Sequence, residues 1–228
     1  MQHANKIRKI DSRQPDREIV LEAAQIIHHG GVVVFPTTGL YGLAADAANS
    51  DAVKRVFAIK QRPFTRPLLI LIPGRSSLAD IVSHPPPVAG QLMDAFWPGG
   101  LTLVFHARRD ILPELTAGTG HIGVRLPGHP VSRLLVEAVG SPITATSANV
   151  SDHSGCSCID DLDPAVADAV DLILDAGQLK GGLGSTVLDL TQTPPVLLRE
   201  GAISRSRMAP ILGNAHGLWS TLPNTLYR

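Results

Sequence analysis

The sequence predicts an α/β domain built on a twisted, mixed β-sheet. Three observations lead there. Short runs of β-branched and aliphatic residues alternate with segments of helical period, the pattern of a sheet carrying helices on its faces. The leading runs are apolar at successive positions, not only at every second one, so both faces of the sheet are expected to be covered. Several late runs are separated by links too short for a helical crossover, which makes some neighbours antiparallel.

Taken in order, Pro15 to His29 reads as a helix: Pro15 suits the first turn, Ile19, Ala23, Ile26 and Ile27 share a face, and Gly30-Gly31 end it. Val32 to Phe35 is a strand stopped by Pro36, and it feeds a loop, Thr37 to Gly42. Asp51 to Lys60 is a second helix with Val53, Val56 and Phe57 inward. Pro63 confines its continuation to about Arg62 and so leaves Lys60 and Arg62 at the helix exit. Leu68 to Ile72 is a strand, Val88 to Phe96 a helix broken by Trp97-Pro98-Gly99-Gly100, and Leu101 to Phe105 a strand. Ile122 to Leu126, Ile143 to Thr146, Leu172 to Leu174, Thr186 to Leu190 and Val196 to Leu198 follow as strands, with helices at Val131 to Val139 and Ala165 to Val170. Met208 to Arg228 reads as a docked extension or a partly disordered tail.

The chain has 228 residues, 44% hydrophobic and 18% charged, enough to bury a substantial core. Lysine plus arginine, 20, equals aspartate plus glutamate, 20, so no basic excess advertises a wide nucleic-acid surface; a local basic site remains compatible with this balance. The longest apolar runs fall far short of the roughly 20 residues of a membrane helix, and Met1 to Lys9 has no signal-like apolar stretch. The expectation is a cytoplasmic protein with no membrane association. Cys156 and Cys158 are too few and too close for a disulfide framework or a zinc site, and read as loop thiols.

Four features could carry chemistry, each beside a plainer explanation. The loop Pro36-Thr37-Thr38-Gly39-Leu40-Tyr41-Gly42-Leu43 places hydroxyls and glycines at the carboxyl end of a strand, where open α/β sheets bind ligands, or is an ordinary turn. Lys60-Gln61-Arg62-Pro63 combines a point charge with a planar fork, suited to a polyphosphate, or answers the dipole of the helix that it ends. Ser147-Ala148-Asn149 offers a hydroxyl, an amide and backbone donors at another strand end, or caps the next segment. Arg125, in an apolar strand, requires an anionic partner, either a substrate carboxylate or an internal acid. Gly181 to Thr186 matches neither a Walker loop nor a dinucleotide fingerprint, and no hydrolase or metalloprotease signature appears.

Over roughly Ile19 to Ile203 the ordered set Pro36-Thr37, Tyr41-Gly42-Leu43, Lys60-x-Arg62-Pro63, Trp97-Pro98-Gly99-x-Leu101-Thr102, Val124-Arg125-x-Pro127, Ser147-Ala148-Asn149, Ser185-Thr186-Val187 and Leu198-Arg199-x-Gly201 resembles the YrdC/TsaC family of L-threonylcarbamoyladenylate synthases. The resemblance implies an open twisted sheet around a large concave basic cavity, with a catalytic domain over residues 12–206 and a tail or extension over 207–228. It also implies a nucleotidyltransferase that makes threonylcarbamoyl-AMP and pyrophosphate from L-threonine, bicarbonate and ATP, with magnesium, for tRNA threonylcarbamoyladenosine modification by downstream transfer proteins. By the same resemblance Lys60 and Arg62 are catalytic and, with Thr119, Ser147, Asn149, Gly155 and Arg199, hold ATP. Thr37, Arg125 and Ser185 hold threonine, and no residue is assigned to a metal. Thr38-Gly39 stands where the family has Glu-Thr, Leu71 where it has His and Gly184 where it has Glu, Asp152 replaces a frequent glycine, and Glu200 a frequent proline, which bears on amino-acid selectivity. The competing reading is a YciO-like paralogue acting as an RNA-binding or ribosome-associated module, with weak tRNA or double-stranded RNA contact. A carbamoyl-phosphate-using maturation domain is disfavoured by the cysteine count.

Overall fold

The computed structural model describes residues 4–213. Strands and helices run β1 (Ile7–Lys9), α1 (Arg17–His28), β2 (Val33–Pro36), β3 (Tyr41–Ala44), α2 (Ser50–Lys60), β4 (Leu69–Leu71), α3 (Pro87–Phe96), β5 (Leu101–His106) and α4 (Pro113–Thr116). They continue β6 (His121–Arg125), α5 (Pro130–Val139), β7 (Ile143–Ser147), α6 (Pro164–Ala169), β8 (Leu172–Asp175), β9 (Thr186–Asp189), β10 (Val196–Arg199) and α7 (Arg205–Leu212). The strands form one ten-stranded sheet in the order β1-β8-β2-β3-β7-β4-β6-β5-β9-β10. It is mixed: β8 runs parallel to β1 and β2, whereas β2 with β3, β5 with β6 and β9 with β10 are antiparallel.

Local chemistry sets the helix ends. Asp16 caps α1 by accepting the Glu18 N–H, Asn49 caps α2 by accepting those of Asp51 and Ala52, and Gly140 ends α5 at φ 71°. The apolar runs are covered on both faces, as their continuous pattern requires. On β2, Val33 and Phe35 join the layer beneath α1 and α5, while Val32 and Val34 face the core shared by α2, α3, α6 and α7. Burial of such side chains contributes about 1.5–3 kcal/mol each. The strand ends can therefore carry polar and like-charged groups that do not themselves stabilise the fold.

The expected loop over Thr37 to Gly42 is shorter than the sequence suggests. Thr37 N–H donates to the Leu40 carbonyl at 3.1 Å, and Tyr41 already pairs with Pro36 as the start of β3. Pairing with β2 on one side and β7 on the other imposes the strand, and glycine at 42 is needed there because a Cβ would lie 3.0 Å from the Phe35 ring. Strand β7 joins two halves of the sheet: Ile143 to Ala145 pair with β4, and Thr146 and Ser147 pair with β3. It delivers Ser147 to the point where the neighbours change. Helix α7 straddles residue 207 and buries Met208 against the main core beside α3, so the extension expected after Arg207 begins as a docked helix; residues 214–228 lie outside the described residues. Among the described residues no helix is long and apolar enough to cross a membrane.

Candidate functional site

The β2–β3 turn, the exit of α2, the ends of β6 and β7, and the residues flanking β9 and β10 enclose a cavity of about 590 Å³. That volume is in the range of small-molecule sites. Thr37, Lys60, Arg62, Arg125, Ser147, Asn149, Ser185 and Arg199 all line it. Among the described residues these cations face a single lining carboxylate, Asp152, which is itself bridged to Arg66 at 2.8 Å. The excess of positive charge is thus local, in a chain whose totals balance.

Lys60 is 2% exposed, and its ammonium turns back from the last turn of α2 onto the Ser147–Asn149 turn. Its Nζ donates to Ser147 O at 2.6 Å, Asn149 O at 2.8 Å and Asn149 Oδ1 at 3.1 Å, which accounts for all three of its hydrogens. Ser151 N–H returns a bond to the Lys60 carbonyl at 2.7 Å. Ser147 Oγ donates to Asn149 Oδ1, and Asn149 Nδ2 donates to the carbonyls of Val150 and His153. The backbone donors that the sequence suggested for this turn are also engaged: Ala148 N–H meets Tyr41 O, and Asn149 N–H meets Ser147 O. The turn is closed on itself, and it presents the Ser147 hydroxyl oxygen as an acceptor with the Lys60 charge behind it. Burial, and then the neighbouring Arg62, lower the Lys60 pKa from its ordinary range to about 7.

Gln61 takes the left-handed conformation at φ 49°, which turns the chain out of α2 and brings Arg62 to the cavity wall. Its Nε and Nη2 donate to the carbonyls of Arg66 and Pro67 at 3.2 and 3.0 Å. At the other end, Arg125 Nε donates to Gly99 O at 2.6 Å, and Arg199 donates to Ser185 O at 3.0 Å and Ser185 Oγ at 3.2 Å. Burial, then the charge of Arg199, bring the Arg125 pKa down to about 10, so it stays cationic at neutral pH; burial lowers Arg199 as well. Two guanidinium groups whose fields oppose one another concentrate positive charge at this end.

Two of the expected ATP contacts lie off the cavity lining. Thr119 is exposed in the turn before β6, where its hydroxyl donates to Thr116 O and accepts the His121 N–H, at the opposite end of that strand from Arg125. Gly155 packs behind the Ser147 turn, where a Cβ would lie 3.5 Å from Ser147 Cβ and 3.1 Å from Leu40 Cδ1. Thr102, part of a recognisable motif, received no role from the sequence although it lines the cavity. The available signal was a hydroxyl inside the apolar run Leu101 to Phe105, since a buried hydroxyl needs a partner.

The departures at Gly39 and Gly184 also have a geometric meaning. Gly181 N–H donates to Gly39 O at 2.9 Å, and a Cβ on residue 39 would sit 2.8 Å from Gly181 O. Glycine here lets the 181–185 segment rest on the β2–β3 turn. The Gly39→Ala substitution should displace that segment and Ser185 with it, an overpacking penalty of about 1–3 kcal/mol. A lowered thermal midpoint of the alanine variant checks this.

A mixed sheet covered on both faces, with cationic side chains at strand and helix ends lining one cavity of small-molecule size, defines an α/β domain. The chain belongs to the Sua5/YciO/YrdC family, whose model, described as "Telomere recombination", matches residues 25–201. The motif resemblance is therefore borne out. The chain is 38% identical over 202 residues to the threonylcarbamoyl-AMP synthase of Bacillus subtilis (strain 168), a match covering 86% of this chain and 57% of that protein. It is 36% identical over 203 residues to a putative threonylcarbamoyl-AMP synthase of Mycobacterium tuberculosis, covering 89% of this chain and 93% of the relative. Among solved structures, P. abyssi Sua5 complexed with L-threonine aligns with a TM-score of 0.87 at 33% identity, over 95% of this chain and 62% of that one. The chain thus spans little more than half the length of the Bacillus relative.

Proposed function

We propose that this protein is an L-threonylcarbamoyladenylate synthase, a nucleotidyltransferase that forms threonylcarbamoyl-AMP and pyrophosphate from L-threonine, bicarbonate and ATP. The observation that carries the proposal is the convergence of Thr37, Lys60, Arg62, Arg125, Ser147, Asn149, Ser185 and Arg199 on one cavity from six separate stretches of sequence. The names of the Bacillus and Mycobacterium relatives, and the threonine complex of P. abyssi Sua5, support it over the RNA-binding alternative.

In this reading the threonine amine adds to carbon dioxide from bicarbonate, losing a proton and releasing water overall. A carbamate oxygen then attacks the α-phosphorus of ATP; the bond to the β-phosphate oxygen breaks and pyrophosphate leaves with its electron pair. No protein nucleophile enters the sequence of bonds, so catalysis consists of positioning and of charge placed where the phosphates and leaving group develop it. Arg62, the Lys60 charge and the Ser147–Asn149 turn form the ATP end, with Arg199 between the substrates. Arg125, Thr37 and Ser185 form the threonine end.

No cluster of histidine, cysteine and acidic side chains able to hold a metal occurs among the described residues, and Asp152 is engaged by Arg66. The residues therefore do not fit a protein-held magnesium, and we assign the ion to the ATP phosphates as part of the substrate. The catalytic unit of this proposal is residues 12–206 in the cytoplasm, with the product passed to proteins that transfer the threonylcarbamoyl group to tRNA.

Incubation with ATP, bicarbonate and L-threonine is expected to release pyrophosphate and give threonylcarbamoyl-AMP by mass spectrometry. Running the assay across serine, threonine and other amino acids tests the selectivity left by Leu71 and Gly184. Absence of any threonine-dependent adenylate would overturn the assignment.

A further inference from the structure

Ser185 sits just before β9, 6% exposed, and lines the cavity. Its hydroxyl oxygen has two hydrogen-bonding partners among the described residues. Thr102 Oγ1, fully buried on β5, lies 2.8 Å away, and Arg199 Nη2 lies 3.2 Å away. A guanidinium only donates, so one lone pair of Ser185 Oγ belongs to Arg199. The proton between the two hydroxyls could sit on either oxygen. The Thr102 hydroxyl has no other hydrogen-bond partner among the described residues, and the residue lies between Leu101 and Leu103 in a buried run. Were Ser185 the donor, the Thr102 hydrogen would be left buried with nothing to accept it, an arrangement that folded proteins avoid. Thr102 is therefore the donor. Both lone pairs of Ser185 are then occupied, and its own hydrogen is directed at the cavity.

The backbone holds this arrangement from both sides. Thr102 lies opposite Val187 in the parallel pairing of β5 with β9, and Thr186 N–H donates to Gly100 O at 2.9 Å. Thr186 Oγ1 accepts the N–H groups of Gly201 and Ile203, each at 2.9 Å, which ties the segment after Arg199 to the start of β9. On the neighbouring β6 strand, a Cβ at Gly123 would collide with the Leu69 side chain and come within 3.3 Å of Thr102 Cγ2, so the glycine leaves space for both.

We propose that Thr102 is a positioning residue that makes Ser185 a donor-only contact. The amino-acid substrate then presents to Ser185 an oxygen acceptor, of a carboxylate or carbamate, and not an ammonium or hydroxyl hydrogen. The inference rests on the reading of Ser185 as part of the threonine end, and it adds a buried residue of the cavity wall that acts through Ser185 by setting its polarity.

Ser185→Ala, Thr102→Val, Thr102→Ser and the Ser185→Ala/Thr102→Val pair separate the two ideas, with kcat, the KM for threonine, the KM for ATP and the thermal midpoint measured for each. The expected result is a threonine KM raised about tenfold in both Ser185→Ala and Thr102→Val, with the ATP KM unchanged. Thr102→Ser, which keeps the hydroxyl, is expected to restore the wild-type value, and the double variant to be no worse than Ser185→Ala alone, because the two residues act as one unit. If Ser185→Ala raises the KM while Thr102→Val does not, if Thr102→Ser fails to restore it, or if the two effects multiply, the role of Thr102 falls and the site stands. If Ser185→Ala leaves the threonine KM unchanged, the reading of this end of the site falls, and the inference with it. Should Thr102→Val lose its fold, Thr102→Ala, which likewise removes the donor, is held to the same outcomes.

Discussion

Replacing Lys60 with methionine should lower ATP affinity by a factor on the order of 10²–10³, measured by calorimetric titration. The side chain stays unbranched, one atom shorter, but loses three donors. Ser147 O, Asn149 O and Asn149 Oδ1 would then face a thioether, and leaving buried acceptors unmatched costs about 1–3 kcal/mol apiece. The turn would reorganise, and the charge behind it would be gone. Arginine is no remedy, because a planar fork cannot reach three acceptors grouped around one nitrogen. ATP affinity within a few-fold of wild type in the folded methionine variant would show that neither the turn nor the charge matters to the nucleotide.

The same lysine carries a pH signature. Its pKa of about 7 in the fold lies below the ordinary value of 10.5, so between these values the unfolded chain holds more protons and this group's contribution to stability rises with pH. For ligand binding the sign is opposite: the charge is present below about 7 and is lost above it, and an arriving polyanion raises the pKa again. At about pH 8, ATP binding should therefore take up a fraction of a proton, visible as a dependence of the binding enthalpy on buffer ionisation enthalpy, and the methionine variant should lack that fraction. His153 also lines the cavity, so His153→Gln serves as the control for uptake from elsewhere.

What the sequence makes legible, and what it does not, follows from the range over which each feature is determined. Phe35-Pro36 ends a strand and Pro63 ends the influence of a helix by local sterics, and the structure places β2 and α2 accordingly, with Lys60 and Arg62 at the α2 exit. Strand β3 is invisible locally, because its glycine-containing sequence is made a strand by partners on either side, one of them β7, about a hundred residues away. Three-residue β1 exists only because β8 offers it an edge. At the site, motif order identifies which residues meet but not how they are spent. Nothing near Lys60 signals that its ammonium will be consumed by carbonyls 87 and 89 residues further on, nor that the donors of the Ser147 turn will be used internally. Those facts belong to the packing of α2 against the end of β7.

Arg62→Ala is the second large effect, and its comparison with Arg75→Ala tests the placement of the whole site. Arg62 lines the cavity with its guanidinium braced by the carbonyls of Arg66 and Pro67, so the plane of the fork is set before a ligand arrives. A preorganised donor of this kind acts where charge develops in the transition state, and losing one such contact typically reduces turnover about 10²–10³-fold. Arg75 pairs with Asp94 on the surface through an ion pair open to solvent, a contact typically worth about 0–1 kcal/mol and outside the cavity, so its alanine variant should retain wild-type kcat. Arg62→Lys should fall between the two, since a lysine restores charge without the bidentate fork. The measurement is kcat for pyrophosphate release under saturating ATP, bicarbonate and threonine, with thermal midpoints to show that all three variants are folded. Equal losses for Arg62→Ala and Arg75→Ala would remove Arg62 from the site, and full recovery in Arg62→Lys would show that position 62 supplies charge alone, with no need for directed hydrogen bonds.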